Sequence, residues 1–112
     1  MSTPIRCTRQ ATDDLSAGVA YLQSCDGESA ANRFVDTVAR LMRAIEGSPT
    51  LGTPCDMHSV RRRDLKRLAL PAPFSAWKIY YAVLFSELRI ERILHMAPQV
   101  QEAPAADPVA KP

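Results

Sequence analysis

The stretch AANRFVDTVARLMRAI, residues 30–45, decides the fold, because its apolar residues recur every three or four positions. Side chains at this spacing lie on one face of a helix. The apolar face comprises Ala31, Phe34, Val35, Val38, Leu41, Met42 and Ile45. We predict an amphipathic helix that starts at Glu28, runs for about five turns and needs an apolar surface to cover this face. The helix should stop at GSPTLGTP, residues 47–54, which holds two prolines and two glycines.

A second, shorter helix is predicted upstream of this one. Thr12 has a side chain suited to capping a helix start, and Asp13 and Asp14 would then lie near the positive end of the helix dipole. The apolar residues that follow at helical spacing are Leu15, Val19 and Leu22. These features predict a helix over Asp13–Gln23. The preceding residues, Ile5–Arg9, favour a short strand.

Three further strands are predicted after the second helix. LKRLAL, residues 65–70, ends at a proline, and WKIYYAVLF, residues 77–85, has the aromatic and β-branched content of a central strand. ELRI and ERILHM, residues 87–96, form the last strand after a tight link. The sequence therefore predicts an α+β fold of two layers in the order β-α-α-β-β-β. A helical hairpin packs on a small twisted, mainly antiparallel sheet, and the first strand pairs with a later one.

The chain of 112 residues has room for one domain, which we assign to residues 1–97. Residues 98–112 contain four prolines, four alanines and no aromatic residue, so we expect this tail to be disordered. No apolar run approaches the roughly 20 residues of a membrane span, and the first residues lack a signal-peptide core. These features predict a cytoplasmic protein without a membrane partner.

Several kinds of catalytic site have no support in the sequence. Cys7, Cys25 and Cys55 are widely spaced and odd in number, which favours reduced thiols over disulfides. Cys55 and His58 supply two metal ligands where a structural zinc site needs four, and neither histidine lies in a catalytic motif. The four glycines are isolated from one another, so no phosphate-binding loop is present. We predict no cofactor and no metal.

The positive charge of the chain is concentrated in one region. Six of the fourteen Lys and Arg residues lie in residues 61–78, against one acid, and five of the six belong to VRRRDLKRL, residues 60–68. Such a run is either a solvated rim or a surface for an anionic partner. The nearby aromatic residues, Phe74, Trp77, Tyr80 and Tyr81, suit nucleic-acid stacking, but aromatic residues in a central strand are also typical of a core.

The order of these elements resembles the ParE/RelE superfamily of type II toxin–antitoxin toxins, and the ParE branch more than the RelE branch. The resemblance covers about Ile5 to Met96. Its most specific parts are AANRF (residues 30–34), SPTLG (48–52), IYY (79–81) and ILH (93–95). It implies a plasmid-stabilisation type of toxin that is neutralised by a ParD-like antitoxin. Operator DNA would then be contacted indirectly, through the antitoxin.

The resemblance leaves the target of the toxin open between two classes. ParE-like toxins inhibit DNA gyrase without being enzymes, whereas RelE-like toxins cleave mRNA on the ribosome without a metal. For the gyrase reading, the surface that binds the antitoxin or the target would comprise Arg63, Lys66, Arg67, Trp77, Lys78 and His95. For the RNase reading, the catalytic set would comprise Lys66, Arg67, Lys78, Tyr81 and His95.

A third reading follows from the end of the domain. Here LHMAPQ, residues 94–99, stands where the family commonly has LHGARD or a similar ending. The missing Arg-Asp pair departs from the ParE pattern and is compatible with a non-toxic relative that acts as a binding module. The resemblance also implies a further basic or tyrosine group near this end in the RNase branch, where this sequence has Met96-Ala97-Pro98, so the catalytic set is incomplete. We predict that an acidic, partly disordered antitoxin segment binds residues 61–67 and the outer faces of the two helices.

Overall fold

The computed structural model describes residues 4–55, 65–85 and 87–95. Within these ranges the elements are β1 (Ile5–Cys7), α1 (Arg9–Asp26), α2 (Glu28–Gly47), β2 (Thr53–Pro54), β3 (Leu65–Ala69), β4 (Trp77–Val83) and β5 (Leu88–His95). Arg63, His58 and the predicted tail, residues 98–112, lie outside the described residues, as does the proposed domain boundary.

Two helices pack on one face of a five-stranded sheet whose strand order is β1-β5-β4-β3-β2. β1 runs parallel to β5, and the other neighbouring pairs are antiparallel. This arrangement confirms the predicted α+β class, the mainly antiparallel sheet and the pairing of the first strand with a later one. β2 was not predicted, because two residues are too few to show a strand pattern and one of them is a proline, which sheets accept only at their edges.

The first helix begins earlier than predicted. α1 starts at Arg9, and its cap is Thr8, whose Oγ1 accepts a hydrogen bond from the Ala11 N–H at 3.0 Å. The predicted cap at Thr12 is therefore wrong. The Thr8 hydroxyl also donates to the Glu91 carbonyl at 3.0 Å, so this cap ties the helix start to β5. A tertiary contact of this kind leaves no signal in the local sequence, where Thr8 and Thr12 are both acceptable caps.

Three strand ends also differ from their predictions. β1 ends at Cys7 because the helix has already begun at Arg9, and β4 ends at Val83, two residues before the predicted end. Phe85 is fully exposed, so this aromatic residue does not mark a strand position. β3 ends at Ala69, one residue before the predicted end.

The core lies between α2 and the central strands. Phe34, Val38 and Ile45 of α2 are almost fully buried and belong to the same apolar cluster as Ile79 and Tyr81 of β4. The predicted apolar face is confirmed except for one member, Val35, which is 40% exposed and lies at the margin of the face. In the described part of the chain, neither helix combines the length and the apolar character that crossing a bilayer would require.

Candidate functional site

The two faces of the sheet divide the candidate residues. Successive side chains of a strand point to opposite faces, and directly paired residues of antiparallel strands share a face. Trp77, Ile79 and Tyr81 belong to the core under the helices, so the odd-numbered positions of β4 form what we call the helix face. Lys78 and Tyr80 therefore lie on the opposite side, which we call the open face.

Arg67 and Lys78 lie on the open face. Arg67 pairs across the strands with Tyr80, and Lys78 pairs with Ala69. The positive charge of Arg67 thus lies beside the Tyr80 phenol. Burial raises the pKa of Tyr80, and Arg67 partly offsets this rise. The face thus presents a buried phenol flanked by two cations that reach solvent.

Lys66 and Tyr81 pair with each other on the helix face. The Tyr81 side chain is fully buried, and its hydroxyl donates to the Pro49 carbonyl at 2.9 Å and accepts from the Gly52 N–H at 2.8 Å. These two bonds hold the SPTLG loop, residues 48–52, against β4. Burial raises the pKa of Tyr81, while the Gly52 N–H lowers it, so the phenol stays protonated and is poorly suited to act as a base near neutral pH.

Trp77 and His95 belong to an aromatic cluster at the other end of the helix face. They pair across β4 and β5, and their ring centroids lie 4.7 Å apart. Tyr21 of α1 lies 5.9 Å from His95, and Phe34 of α2 lies 4.7 Å from Trp77. Gly18 allows this approach, because a Cβ there would lie 3.0 Å from the Trp77 ring. The cluster borders a groove of about 430 Å³, which Arg33 and Asp26 also line.

The five residues of the RNase reading are thus distributed over separate places. Arg67 and Lys78 lie on the open face, whereas Lys66, Tyr81 and His95 lie on the helix face. On that face the partners of Lys66 and His95, Tyr81 and Trp77, are four residues apart on β4, or roughly 13 Å at the rise of a strand. The arrangement does not bring the five side chains around one phosphate group.

Two groups of residues were missed in the sequence. Arg92 of β5 binds Asp14 of α1 through two hydrogen bonds, of 2.7 and 3.0 Å, and the Ile93 N–H donates to the same carboxylate at 3.0 Å. At the edge of the sheet, arginines from β1, α1 and β5 line a concavity of about 310 Å³ together with Glu87. In both groups, residues near the start of the chain meet residues of the last strand region about eighty positions later, so no local sequence pattern indicates the contact.

Comparisons with known proteins identify the fold. No family model and no curated protein match the sequence. A chain of the chromosomal ParDE TA system from P. aeruginosa superposes with a TM-score of 0.69, at 18% identity, over 86% of this chain and 98% of that one. This chain therefore shares its fold with that chain of the ParDE system. A chain of the E. coli DinJ-YafQ toxin-antitoxin complex also superposes, with a TM-score of 0.51 at 16% identity, over 83% of this chain and 91% of that one.

Proposed function

We propose that this chain is the toxin of a type II toxin–antitoxin system and that it acts by binding proteins, with DNA gyrase as its target. Two of the five residues of the RNase reading, Arg67 and Lys78, lie on the open face, and the other three, Lys66, Tyr81 and His95, lie on the helix face. This separation is the observation that favours a binding protein over an RNase, because cleavage needs a base and charge-stabilising groups around one phosphate. The shared fold supports the toxin class, since the two structures compared above come from toxin–antitoxin systems.

The target is tested with purified protein in two assays. We expect the chain to inhibit supercoiling by DNA gyrase and to leave translated mRNA intact, because a binding surface needs no catalytic set. Primer extension on messages translated in vitro measures cleavage in the ribosomal A site. Cleavage that is abolished by Lys66→Ala and by Lys78→Ala would establish the RNase reading instead. Toxicity in cells with no effect on gyrase at large molar excess would contradict the gyrase target, and unchanged growth on induction would favour the non-toxic binding module.

The open face is the proposed docking surface for the ParD-like antitoxin. Arg67 is exposed, Lys78 is half-buried, and neither forms an ion pair with another described residue. An acidic segment that folds on binding would gain from both charges, and its association would be steered by them. Of the other predicted members of the surface, His95 is exposed at the end of the helix face, whereas Trp77 is buried and offers a partner little contact area.

Neutralising these two cations should slow antitoxin binding. We expect the association rate constant of the double variant Arg67→Gln/Lys78→Gln to fall about tenfold at low salt, with a weaker dependence on ionic strength. Stopped-flow or biolayer measurements over a salt series give both quantities. The double variant Arg40→Gln/Arg43→Gln removes the same two charges from the exposed face of α2 and is the matched control; an equal fall in its rate would assign the steering to the outer faces of the helices instead of the open face. An association rate that is indifferent to salt in the unmodified chain would contradict the proposal.

A further inference from the structure

Two arginines lie side by side at the edge of the sheet. Arg6 of β1 and Arg89 of β5 are directly paired positions of the two parallel strands. Like charges at neighbouring positions of a sheet destabilise it. Their side chains are 73% and 38% exposed, respectively, so solvent weakens the repulsion without removing it. An anion near the two guanidinium groups would relieve the remaining repulsion.

Glu87 supplies that anion in part. Its two carboxylate oxygens lie 3.6 Å from the Arg6 guanidinium and 3.4 Å from the Arg89 guanidinium. Strong charge-assisted bonds between such groups are about 2.7–2.9 Å long, so both contacts are weak. A single carboxylate spans the two arginines and satisfies neither of them fully.

A third arginine completes the concavity. Arg9, the first residue of α1, lines the same space of about 310 Å³ and forms no ion pair with any described residue. With three guanidinium groups and one carboxylate, the concavity has a formal charge of +2. The three guanidinium groups have more N–H donors than the Glu87 carboxylate can accept from, so donors remain for a second anionic group.

We propose that this concavity, formed by Arg6, Arg9 and Arg89, is an anion site that binds a Glu or Asp side chain of the antitoxin's acidic segment. The incoming carboxylate takes the stronger contacts with the guanidinium groups and displaces Glu87 from at least one of them. The proposal rests on the proposed antitoxin partner, and it places that partner's contact at the β1 edge of the sheet, which lies opposite the β2 edge.

The surroundings favour a polypeptide over a nucleic acid. β1 is an edge strand, so one side of its backbone has no neighbouring strand within the described residues and is available to an extended peptide. Glu87 would repel the successive phosphates of a nucleic-acid backbone, whereas a single carboxylate from a peptide has to compete with it at one point only. Arg-rich concavities of this size accept planar carboxylates through paired N–H donors.

Cys7 provides a direct test, because it lines the concavity and is exposed. An oligoglutamate peptide is titrated into the full chain, and the alkylation rates of the individual cysteines are measured by mass spectrometry at mildly alkaline pH. We expect saturating peptide to slow the alkylation of Cys7 about tenfold. Cys25, which is exposed at the far end of α1, is the internal control and should react at an unchanged rate.

Substitutions then distinguish peptide binding at the concavity from a general attraction of the peptide to the positive charge of the chain. Arg6→Gln, Arg9→Gln and Arg89→Gln should each raise the peptide concentration needed for protection about tenfold, which is the effect of losing one charge-assisted contact. Arg43→Gln carries the same charge change on α2 and should leave that concentration unchanged. Glu87→Gln should lower it several-fold, more than Glu46→Gln does, because it removes the competing carboxylate.

Three results would overturn the inference. The first is no protection of Cys7 at millimolar peptide, with circular dichroism showing the chain folded. The second is equal weakening by Arg43→Gln and by the three concavity variants. The third is protection by single-stranded oligonucleotide at lower concentration than by the peptide, which would assign the site to nucleic acid. The assay needs neither toxicity nor gyrase, so failure of the gyrase proposal would leave its result standing.

Discussion

Replacing Asp14 with alanine is expected to lower the free energy of unfolding by about 2 to 3 kcal/mol, because it breaks a partly buried ion pair. The Asp14 carboxylate accepts three hydrogen bonds, two from the Arg92 guanidinium and one from the Ile93 N–H. The side chains of Asp14 and Arg92 are only 14% and 24% exposed. Removal of the acid therefore leaves a half-buried cation and a backbone donor without their partner.

The position of this contact explains its importance. β1 pairs with β5 at positions 88–90, so beyond Ile90 the edge of β5 has no neighbouring strand among the described residues. Asp14 reaches that edge from α1 and accepts from the Ile93 N–H, which joins the first helix to the last strand. The Asp14 side chain also raises the pKa of Arg92, through its hydrogen bond and its charge, and these two effects outweigh the opposing effect of burial.

Urea unfolding followed by circular dichroism measures the effect, and Asp13→Ala is the matched control. Asp13 is adjacent, exposed and without an ion pair to any described residue, so its removal should change the free energy of unfolding by less than about 0.5 kcal/mol. Equal losses for the two variants would mean that the net charge of α1 matters and the contact with Arg92 does not.

The elements that depend on local pattern were predictable from the sequence. The α2 helix was found because a stripe of apolar residues fixes both the element and its buried face, whatever the rest of the chain does. β4 was found in the same way, through its β-branched and aromatic residues. Val35 was placed wrongly because it lies at the margin of the stripe, where spacing alone does not separate buried from exposed positions.

The composition of the candidate site was not predictable in the same way. Lys66 and Arg67 are neighbours in sequence, yet the alternation of a strand sends them to opposite faces of the sheet. No feature of the sequence indicates which face the helices cover, so cations that are close in sequence are predicted to share one surface although the fold separates them. The Arg6, Arg9 and Arg89 concavity shows the converse, since it joins residues from three elements that have no common motif.

Replacing Tyr81 with phenylalanine is the second change with a large expected effect. It should lower the free energy of unfolding by about 2 kcal/mol, because it removes both hydrogen bonds to the loop and leaves the buried Gly52 N–H without its acceptor. Urea unfolding measures the loss. Tyr21→Phe is the control, since the Tyr21 ring is half-exposed and the change should cost less than about 0.5 kcal/mol.

A companion variant distinguishes a structural role of Tyr81 from a catalytic one. A Cβ at position 52 would lie 2.8 Å from the Tyr81 hydroxyl oxygen and 2.9 Å from the Arg67 carbonyl oxygen, so Gly52→Ala disturbs the same loop while it keeps the phenol. If Tyr81 holds the loop, both variants lose stability, and below their melting temperatures both keep toxicity and antitoxin binding together. If the phenol takes part in RNA cleavage, Tyr81→Phe abolishes toxicity while Gly52→Ala retains it. That second result would return the RNase reading, because it ties activity to the hydroxyl itself and not to the loop that the hydroxyl holds.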